Sequence, residues 1–326
     1  MINGHGDDIH NYGGVRINFS SNIFAGFSHD GLFDHLSKSM RLVANYPEPS
    51  PLSLEKRIAN INGLDQDCVM VTNGATEAIY LIARTFHGFN PVIPQPTFSE
   101  YADAYKGLAN QSVEFHRRNI FWLCIPNNPT GYVMPKDDLI SKIKSNLDDI
   151  FVIDESYAAY TKESIISLDE AVNYGNVLLL RSMTKDYGVP GLRLGYVVGN
   201  SNLLSKVRDN RMPWSVNALA IEAGHYLLEH KNEYHIPVDE LIAERRRVER
   251  KIHELDIATS PSDSHMLLCR LSQGKASELK GYLISNHGIL IRDASNFQTL
   301  SPQHFRIAVQ TEKENDELIK AISQWK

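Results

Sequence analysis

The sequence predicts an α/β protein with a mostly parallel sheet, followed by a smaller α+β domain. Three observations predict this class. Short apolar runs alternate with stretches whose apolar residues recur at helical spacing. The runs are continuously apolar, as is typical of strands buried on both faces of a parallel sheet. The chain has 326 residues, which exceeds what one small core usually holds, so two domains are expected.

The first part of the chain carries the pattern of the large layer. The helical stretches between its strands favour crossover connections and therefore parallel pairing. We predict a large domain over residues 45–230. Its strand-like runs are "CVMVTNG", "PVIPQP", "IFWLCIP", "IFVIDES", "VLLLRSM" and "LRLGYVVG", and "TEAIYLIARTF" and "KDDLISKIKSNL" are two of its helices.

The rest of the chain indicates a smaller domain, made of residues 231–326 together with an N-terminal arm, residues 1–44. A long helical pattern, interrupted at Pro237, could bridge the two domains. The basic run "RRRVERK" within it is interleaved with glutamates, which favours a solvated helix face over an anion site. Three strands and a final helix follow, "MLLCRL", "GILIRD", "HFRIAV" and "KENDELIKAISQW".

Charge and composition restrict the function. The chain has 33 Lys and Arg against 39 Asp and Glu, a net charge of −6, so it has no broad basic field for nucleic acid or an anionic membrane. A small-molecule ligand is therefore expected, and no metal site is predicted. The three cysteines lie in apolar runs, which indicates reduced thiols, and no leader or membrane-spanning run is visible, so we expect a cytoplasmic protein.

Lys185 lies in "LLLRSMTKDYGVPGLRLGYVVG", residues 178–199, after a buried strand and before a glycine-rich bend. A lysine in a partly buried cleft loses some of its preference for charge, and its amine then becomes a nucleophile suited to Schiff bases. Most lysines are solvated surface groups, so this residue alone proves nothing.

Asp154 ends the apolar strand in "FVIDESYAAY". A carboxylate there is costly unless it meets a cation or a hydrogen-bond donor, and this edge of an open α/β sheet is where ligands bind. It could pair with a protonated heteroaromatic nitrogen. The alternative is an aspartate that caps a helix.

The stretch "VTNGATEAIYLI" has the pattern of an anion cradle. Gly74, Ala75 and Thr76 open a helix after a strand, where free N–H groups, the helix dipole and a hydroxyl can hold a phosphate. Arg193 could add a bidentate charge. The alternatives are an ordinary tight turn and a surface ion pair.

Two further stretches suggest contacts to a flat ring. In "CIPNNPTGYVMP", Asn128 could donate a hydrogen bond to a phenolate oxygen, and Tyr157 could do the same. Phe98 in "QPTFSEY" could stack on the ring, although turn chemistry and core packing explain such residues equally well.

In this order the motifs "NGATEA", "PTFSEY", "PNNPTG", "DESY", "RSMTK" and "GLRLGY" form a specific set. Over nearly its whole length the chain resembles the fold type I pyridoxal 5′-phosphate (PLP) enzymes. The resemblance lies in the aminotransferase class I and II branch, which includes histidinol-phosphate aminotransferases and threonine-phosphate decarboxylases. It implies the PLP-dependent transferase fold, with a mostly parallel sheet of the seven-stranded type.

The resemblance also implies roles for residues. Lys185 would carry PLP as a Schiff base, Asp154 would pair with the pyridine nitrogen, and Arg306 in "HFRIAV" would bind the substrate carboxylate, although a structural ion pair is the alternative for Arg306. Tyr46 in "NYPEP" would reach the cofactor phosphate of a neighbouring subunit, which implies a homodimer. The other implied cofactor contacts are Asn128 and Tyr157 to the ring oxygen, Phe98 to the ring face, and Gly74, Ala75, Thr76, Ser182, Thr184 and Arg193 to the phosphate.

Within the branch, "MPWSVNALA" and "ILIRDASNFQTLSPQHFRIAV" are more similar to the threonine-phosphate decarboxylases. The N-terminal "HGDDI" and "NFSSNIF" agree in part and would put His5, Gly6 and Asn22 near the substrate. Arg292 is the candidate for the phosphate of a phosphorylated amino acid. These features favour decarboxylation of O-phosphothreonine, as in cobalamin biosynthesis. An aminotransferase acting on histidinol phosphate or another amino acid is the alternative, and a non-catalytic PLP sensor is a minor one.

The chain also departs from the decarboxylase pattern. Asp7 and Asp8 replace a Gly-Asn pair, and they would repel a phosphate unless they point outward. Phe24 replaces an asparagine that usually precedes proline. The segment between the "PTFSEY" helix and the next strand, residues 106–121, is compressed, so part of one crossover is expected to be missing.

Overall fold

The computed structural model describes residues 8–108 and 118–325. The strands are β1 (Ile17–Asn18), β2 (Val69–Thr72), β3 (Asn90–Val92), β4 (Asn119–Cys124), β5 (Ile150–Asp154), β6 (Val177–Ser182), β7 (Gly195–Gly199), β8 (Ala258–Thr259), β9 (Met266–Arg270), β10 (Ile289–Leu290), β11 (Arg292–Asp293) and β12 (His304–Ala308). The helices are α1 (Asp30–Ser39), α2 (Leu52–Asn62), α3 (Gly74–Thr85), α4 (Glu100–Lys106), α5 (Lys136–Ser145), α6 (Leu168–Asn173), α7 (Met183–Asp186), α8 (Ser201–Arg208), α9 (Ala218–Glu229), α10 (Val238–His253), α11 (Ala276–His287) and α12 (Glu312–Ser323).

The large sheet has the strand order β2-β7-β6-β5-β4-β3. Its strands β3 to β6 are parallel, and β7 runs antiparallel to both of its neighbours. This confirms a mostly parallel sheet, with six strands in the described residues where the resemblance implies the seven-stranded type. The compressed segment that we expected to shorten one crossover includes residues 109–117, which lie outside the described residues.

The continuous apolar runs form strands buried on both faces. Along β5, Val152 belongs to one core cluster, whereas Phe151 and Ile153 belong to another on the opposite face. Helices α3 and α4 cover the first face, and α5 and α6 cover the second. Full burial of each large apolar side chain stabilises the fold by roughly 1.5–3 kcal/mol. Because its strands are buried on both faces, the sheet holds their carboxyl ends in fixed positions along one edge.

A second, antiparallel sheet follows in the order β11-β12-β9-β8. The N-terminal β1 pairs in parallel with β10, which places the arm against this later part of the chain. The division at residues 45 and 230 stays a prediction.

The basic run on α10 is not a fully solvated face. Arg247 pairs with Glu244 at 2.6 Å, as the interleaved glutamates predict. Arg245 differs from that expectation, because it is buried and pairs with Glu249 at 2.6 Å.

All three cysteines are free thiols. Cys124 and Cys269 are buried free thiols, and Cys68 is a half-buried one. Over residues 8–108 and 118–325, no helix combines the length and the apolar composition that crossing a membrane requires.

Candidate active site

A cavity of about 680 Å³ opens at the carboxyl ends of β4, β5 and β6. Parallel strands end together at one edge, so motifs that are far apart in sequence meet there. Most of the predicted site residues line this cavity: Asn22, Ala75, Thr76, Phe98, Asn128, Asp154, Tyr157, Ser182, Thr184, Lys185, Arg193, Arg292 and Arg306.

Two of the predicted residues that the structure describes, Gly74 and Tyr46, do not line the cavity. Gly74 lies just behind its wall, where an added Cβ would come within 2.8 Å of Arg193 Nη2. Tyr46 is 86% exposed and its ring contacts Trp214, with 5.4 Å between the ring centroids, so it makes no contact with the cavity of its own chain. His5 and Gly6 lie outside the described residues.

Lys185 occupies the short helix α7, which directly follows β6. Its Nζ donates a hydrogen bond of 2.5 Å to Asn22 Oδ1 and lies 5.6 Å from the centre of the Tyr157 ring. The Asn22 amide donates in turn to the Tyr157 hydroxyl at 2.5 Å. The amine therefore projects into the cavity beside a phenol and an amide.

Asp154 is buried at the end of β5, and its carboxylate has donors on both oxygens. Tyr101 donates to Oδ2 at 2.7 Å, and the N–H and hydroxyl of Ser156 donate to Oδ1 at 2.9 and 2.6 Å. The sequence interpretation missed Tyr101 and Ser156, although both lie in the quoted motifs "PTFSEY" and "DESY". These bonds offset the desolvation of the carboxylate and fix its direction.

The start of α3 has features that suit the anion cradle predicted from the sequence. Gly74 has a φ of 72°, which suits glycine, and Arg193 has a left-handed φ of 56°, which is uncommon for any other residue. Thr184 Oγ1 is buried and has no hydrogen-bond partner among the described residues. The first turn of α3, the Arg193 guanidinium and the unsatisfied Thr184 hydroxyl therefore line the same cavity, and all three are groups that suit a phosphate.

Arg306 and Arg292 lie at another wall of the cavity. Arg306 is 1% exposed and donates to Asn128 Oδ1 and to the Ser20 carbonyl, both at 2.5 Å. Arg292 is also buried, donates to Asn296 Oδ1 at 2.8 Å, and has its guanidinium 5.3 Å from the centre of the Phe297 ring.

Asp8 is not a free negative charge near the cavity. Its Oδ2 pairs with the buried Lys280 Nζ at 2.6 Å. The expected repulsion of a substrate phosphate by Asp8 is therefore offset by a lysine 272 positions away, which sequence spacing could not reveal. Asp7 lies outside the described residues.

A charged cluster is buried behind the site, next to both Asp154 and Lys185 in sequence. Glu155 pairs with Arg181 at 2.7 Å, yet burial raises the pKa of Glu155 to about 8. Burial also raises the pKa of Asp186 to about 7, although Arg181 acts in the opposite direction. The sequence interpretation did not identify this cluster, and it does not line the cavity.

The fold and this cavity together define a PLP-dependent enzyme of fold type I. A buried carboxylate faces the cavity from the middle strand, an amine follows the next strand, and a phosphate cradle opens α3. The unsatisfied Thr184 hydroxyl and the close approach of Arg193 to Gly74 fit the cofactor phosphate.

Comparisons with known proteins agree. The aminotransferase class I and II family matches residues 15–322. A protein of Caldanaerobacter subterraneus subsp. tengcongensis, provisionally named threonine-phosphate decarboxylase, is 32% identical over 98% of this chain and 92% of its own. The structure of L-threonine-O-3-phosphate decarboxylase from Porphyromonas gingivalis has a TM-score of 0.91 and 33% identity, covering 95% of this chain and 99% of that one.

A histidinol-phosphate aminotransferase of Ruminiclostridium cellulolyticum is 26% identical over 85% of this chain and 82% of its own. The chain belongs to the aminotransferase class I and II family, and its cofactor is PLP. The predictions of fold class, family and cofactor are therefore confirmed. The roles of individual site residues stay predictions.

Proposed function

We propose that the protein decarboxylates L-threonine O-3-phosphate to (R)-1-amino-2-propanol O-2-phosphate and CO2, a reaction that would serve cobalamin biosynthesis. The observation that carries this proposal is the pairing of Arg292 with Arg306. These two arginines occupy directly opposite positions on the antiparallel strands β11 and β12, and both line the cavity.

Two like charges at opposite positions of a strand pair destabilise a sheet, and burial increases the cost. A ligand with two anionic groups would meet both guanidiniums at once. O-phosphothreonine carries a carboxylate and a phosphate, whereas histidinol phosphate carries only a phosphate. The decarboxylase relatives support the same choice, because they match a larger part of the chain at higher identity than the aminotransferase does.

The predicted residues would have the following roles in this reaction. Asp154, oriented by Tyr101, would hold the cofactor's ring nitrogen, and Lys185 would hold its aldehyde carbon. Asn128 and Tyr157 would contact the ring oxygen, and Phe98 would cover one face of the ring. The proposed phosphate contacts are Gly74, Ala75, Thr76, Ser182, Thr184 and Arg193 of the same chain, with Tyr46 from a neighbouring subunit.

When bound, PLP supplies an electron sink for a bond to the substrate Cα. The side chains of the protein would determine which bond to Cα is cleaved. Arg306 would hold the carboxylate and Arg292 the phosphate, so the substrate is fixed at two points and one bond to Cα is aligned for cleavage. Lys185 Nζ would then return a proton to Cα. His5 and Gly6, as N-terminal substrate contacts, remain part of this proposal.

We further propose a cytoplasmic homodimer with shared sites. Tyr46 does not line its own cavity, and two large apolar side chains close to it are exposed: Trp214, whose ring it contacts, at 48%, and Val43, three positions earlier in the chain, at 60%. A second copy that covers this surface would bring Tyr46 to the neighbouring cofactor phosphate. The three free thiols suit a reducing compartment.

The test is to mix purified holoenzyme with O-phosphothreonine in the absence of any keto acid and to measure released CO2. Stoichiometric CO2 that depends on Lys185 supports the decarboxylase. Formation of pyridoxamine phosphate from histidinol phosphate, without CO2 from phosphothreonine, would assign the protein to the aminotransferases instead. Bound PLP with neither activity would favour the non-catalytic sensor.

A further inference from the structure

The buried hydroxyl of Tyr160 joins the N-terminal arm to the segment that carries Lys185. Tyr160 ends a 3₁₀ turn, Ala158–Tyr160, and has no exposed surface. The Phe24 N–H donates to Tyr160 Oη at 2.9 Å, and the Tyr160 hydroxyl donates to the Lys185 carbonyl oxygen at 2.8 Å. One hydroxyl thus links the backbones of two segments that are 161 positions apart, since 185 − 24 = 161.

The same two segments contact each other on either side of this link. On one side, Lys185 Nζ donates to Asn22 Oδ1. On the other side, a ring nitrogen of His29 lies 2.8 Å from the Tyr187 carbonyl oxygen. The arm from residue 22 to residue 29 therefore runs alongside the lysine segment, and Tyr160 forms the middle contact.

The ring of Tyr160 is itself fixed from a third direction. His265, directly before β9, stacks on it with 4.1 Å between the ring centroids and 27° between the planes. Burial raises the pKa of Tyr160 above its ordinary value, so the hydroxyl stays a proton donor over the whole working pH range. The stack holds the hydroxyl where it can accept from the arm and donate to the lysine backbone at once.

We propose that Tyr160 is a positioning residue for Lys185. The Tyr160 hydroxyl holds the lysine backbone against the arm, so that Asn22 stays in contact with the lysine amine. The inference rests on the proposed role of Lys185. Without the hydroxyl, the Phe24 N–H and the Lys185 carbonyl lose a partner, and the two segments can separate. Displacements of about 1 Å can cost up to 100-fold in rate, so kcat should fall by roughly tenfold or more.

The test is the variant Tyr160→Phe, which keeps the ring and its stack on His265. In the apoprotein, hydrogen exchange of the peptide containing Phe24 should become faster. In the holoenzyme, the visible circular dichroism of the lysine-bound cofactor should weaken, and kcat should fall more than KM rises. The matched control is Tyr105→Phe, which removes a hydroxyl that accepts from Trp122 Nε1 at 3.0 Å without contacting the arm or Lys185.

The results separate the two proposals. Unchanged exchange at Phe24 and unchanged circular dichroism in Tyr160→Phe, relative to Tyr105→Phe, would overturn the positioning role. Failure of the proposed reaction would show as an absence of CO2 release from the unmodified holoenzyme, and it would leave the exchange measurement interpretable. If Tyr160→Phe does not fold, Asn22→Ala removes the amine contact and the bond to Tyr157 but leaves both hydrogen bonds of Tyr160 in place, so it should weaken the circular dichroism while Phe24 exchange is unchanged. An unchanged signal in that variant would also overturn the inference.

Discussion

The amine of Lys185 lies 2.5 Å from Oδ1 of Asn22, although the two residues are 163 positions apart in the chain. The amide of Asn22 contacts the Tyr157 hydroxyl with its other end. A residue of the N-terminal arm therefore bridges an amine and a phenol that follow strands β6 and β5 of the large sheet. The arm is part of the site and not only a cover over it.

The variant Asn22→Ala should lower kcat/KM by roughly 10- to 100-fold, because it removes hydrogen bonds to the Lys185 amine and to Tyr157 at once. PLP should remain bound, since neither the Asp154 contacts nor the α3 cradle changes. Steady-state kinetics and the visible absorbance of the holoenzyme measure the two effects. Ser21→Ala, at the neighbouring position in the cavity wall, is the control. A loss of activity equal to that of Ser21→Ala would contradict the role of Asn22.

Tyr101→Phe should weaken PLP binding by roughly tenfold, or about 1.4 kcal/mol, because a hydrogen bond to a charged acceptor such as Asp154 contributes roughly 1.5–3 kcal/mol. The remaining donors, both from Ser156, hold only Oδ1, so the carboxylate can turn away from the ring nitrogen. Titration of the apoprotein with PLP, followed by absorbance, gives the dissociation constant. Tyr105→Phe, one helical turn later on α4, should bind PLP as the unmodified protein does. Equal affinity in the two variants would show that Tyr101 does not orient Asp154.

The sequence predicted the parts of the site that lie at strand ends. Asp154, Asn128 and Lys185 each follow an apolar run, and parallel pairing brings such ends to one edge, so their convergence follows from the periodicity alone. The sheet class was predictable for the same reason.

The supporting contacts were not predictable in this way. Tyr101 and Asp154 are 53 positions apart, and Lys280 and Asp8 are 272 positions apart. The spacing of apolar residues indicates which face of a helix or strand is buried. It does not indicate which polar side chains, far apart in sequence, contact each other in the folded protein. The burial of Arg245 was missed for the same reason, because interleaved charges have the same pattern on a solvated face and on a packed one.

His265 should make the protein less stable as the pH falls. Burial, assisted by the nearby Arg306, lowers the pKa of His265 to about 3 from an ordinary value of 6.5. Between these values the denatured chain binds a proton that the folded protein does not bind. The free energy of unfolding should therefore fall by about 1.4 kcal/mol for each pH unit below 6.5, until the pH approaches 3.

The measurement is urea denaturation of His265→Phe and of the unmodified protein between pH 6.5 and pH 4. Phenylalanine keeps an aromatic ring against Tyr160, so the variant should fold. The unfolding free energy of this variant should not show the loss of about 1.4 kcal/mol per pH unit that His265 causes. Replacement of the exposed His10 by Phe is the control, and it should leave the pH dependence as it is in the unmodified protein. Parallel pH profiles for His265→Phe and the unmodified protein would show that His265 is protonated in the folded state.

Tyr46→Phe should reduce the affinity for PLP only if a second copy places this residue at the neighbouring site, because Tyr46 is 86% exposed and outside its own cavity. The Lys185→Ala variant should be inactive. When it is mixed with a Tyr46 variant that is also inactive, activity should return, because one of the two sites in a mixed dimer then has both residues intact. Sedimentation gives the oligomeric state and mixing kinetics give the recovered rate. A monomeric, fully active enzyme would contradict the shared site.

Arg292 and Arg306 should have separable effects, although they are opposite each other on β11 and β12. Arg292→Gln removes the proposed phosphate contact, so the KM for O-phosphothreonine should rise by roughly 100-fold, whereas the rate measured with unphosphorylated threonine should equal that of the unmodified enzyme. Arg306→Gln removes the proposed carboxylate contact and the bond to Asn128, so both substrates should lose kcat as well as binding. Arg306→Lys should not restore the activity, because an ammonium cannot make the bidentate contact.

The two substrates make this comparison decisive. If Arg292→Gln weakened the reaction of threonine and phosphothreonine equally, the residue would serve the sheet and not the phosphate. If Arg292→Gln relieved the like-charge pair without loss of phosphothreonine turnover, the thermal stability of the variant should rise while its kinetics stayed unchanged, and the proposed contact of Arg292 with the substrate phosphate would be excluded. We expect Arg292→Gln to raise the KM of the phosphorylated substrate only. With phosphothreonine bound, the variant should also be less stable than the unmodified enzyme.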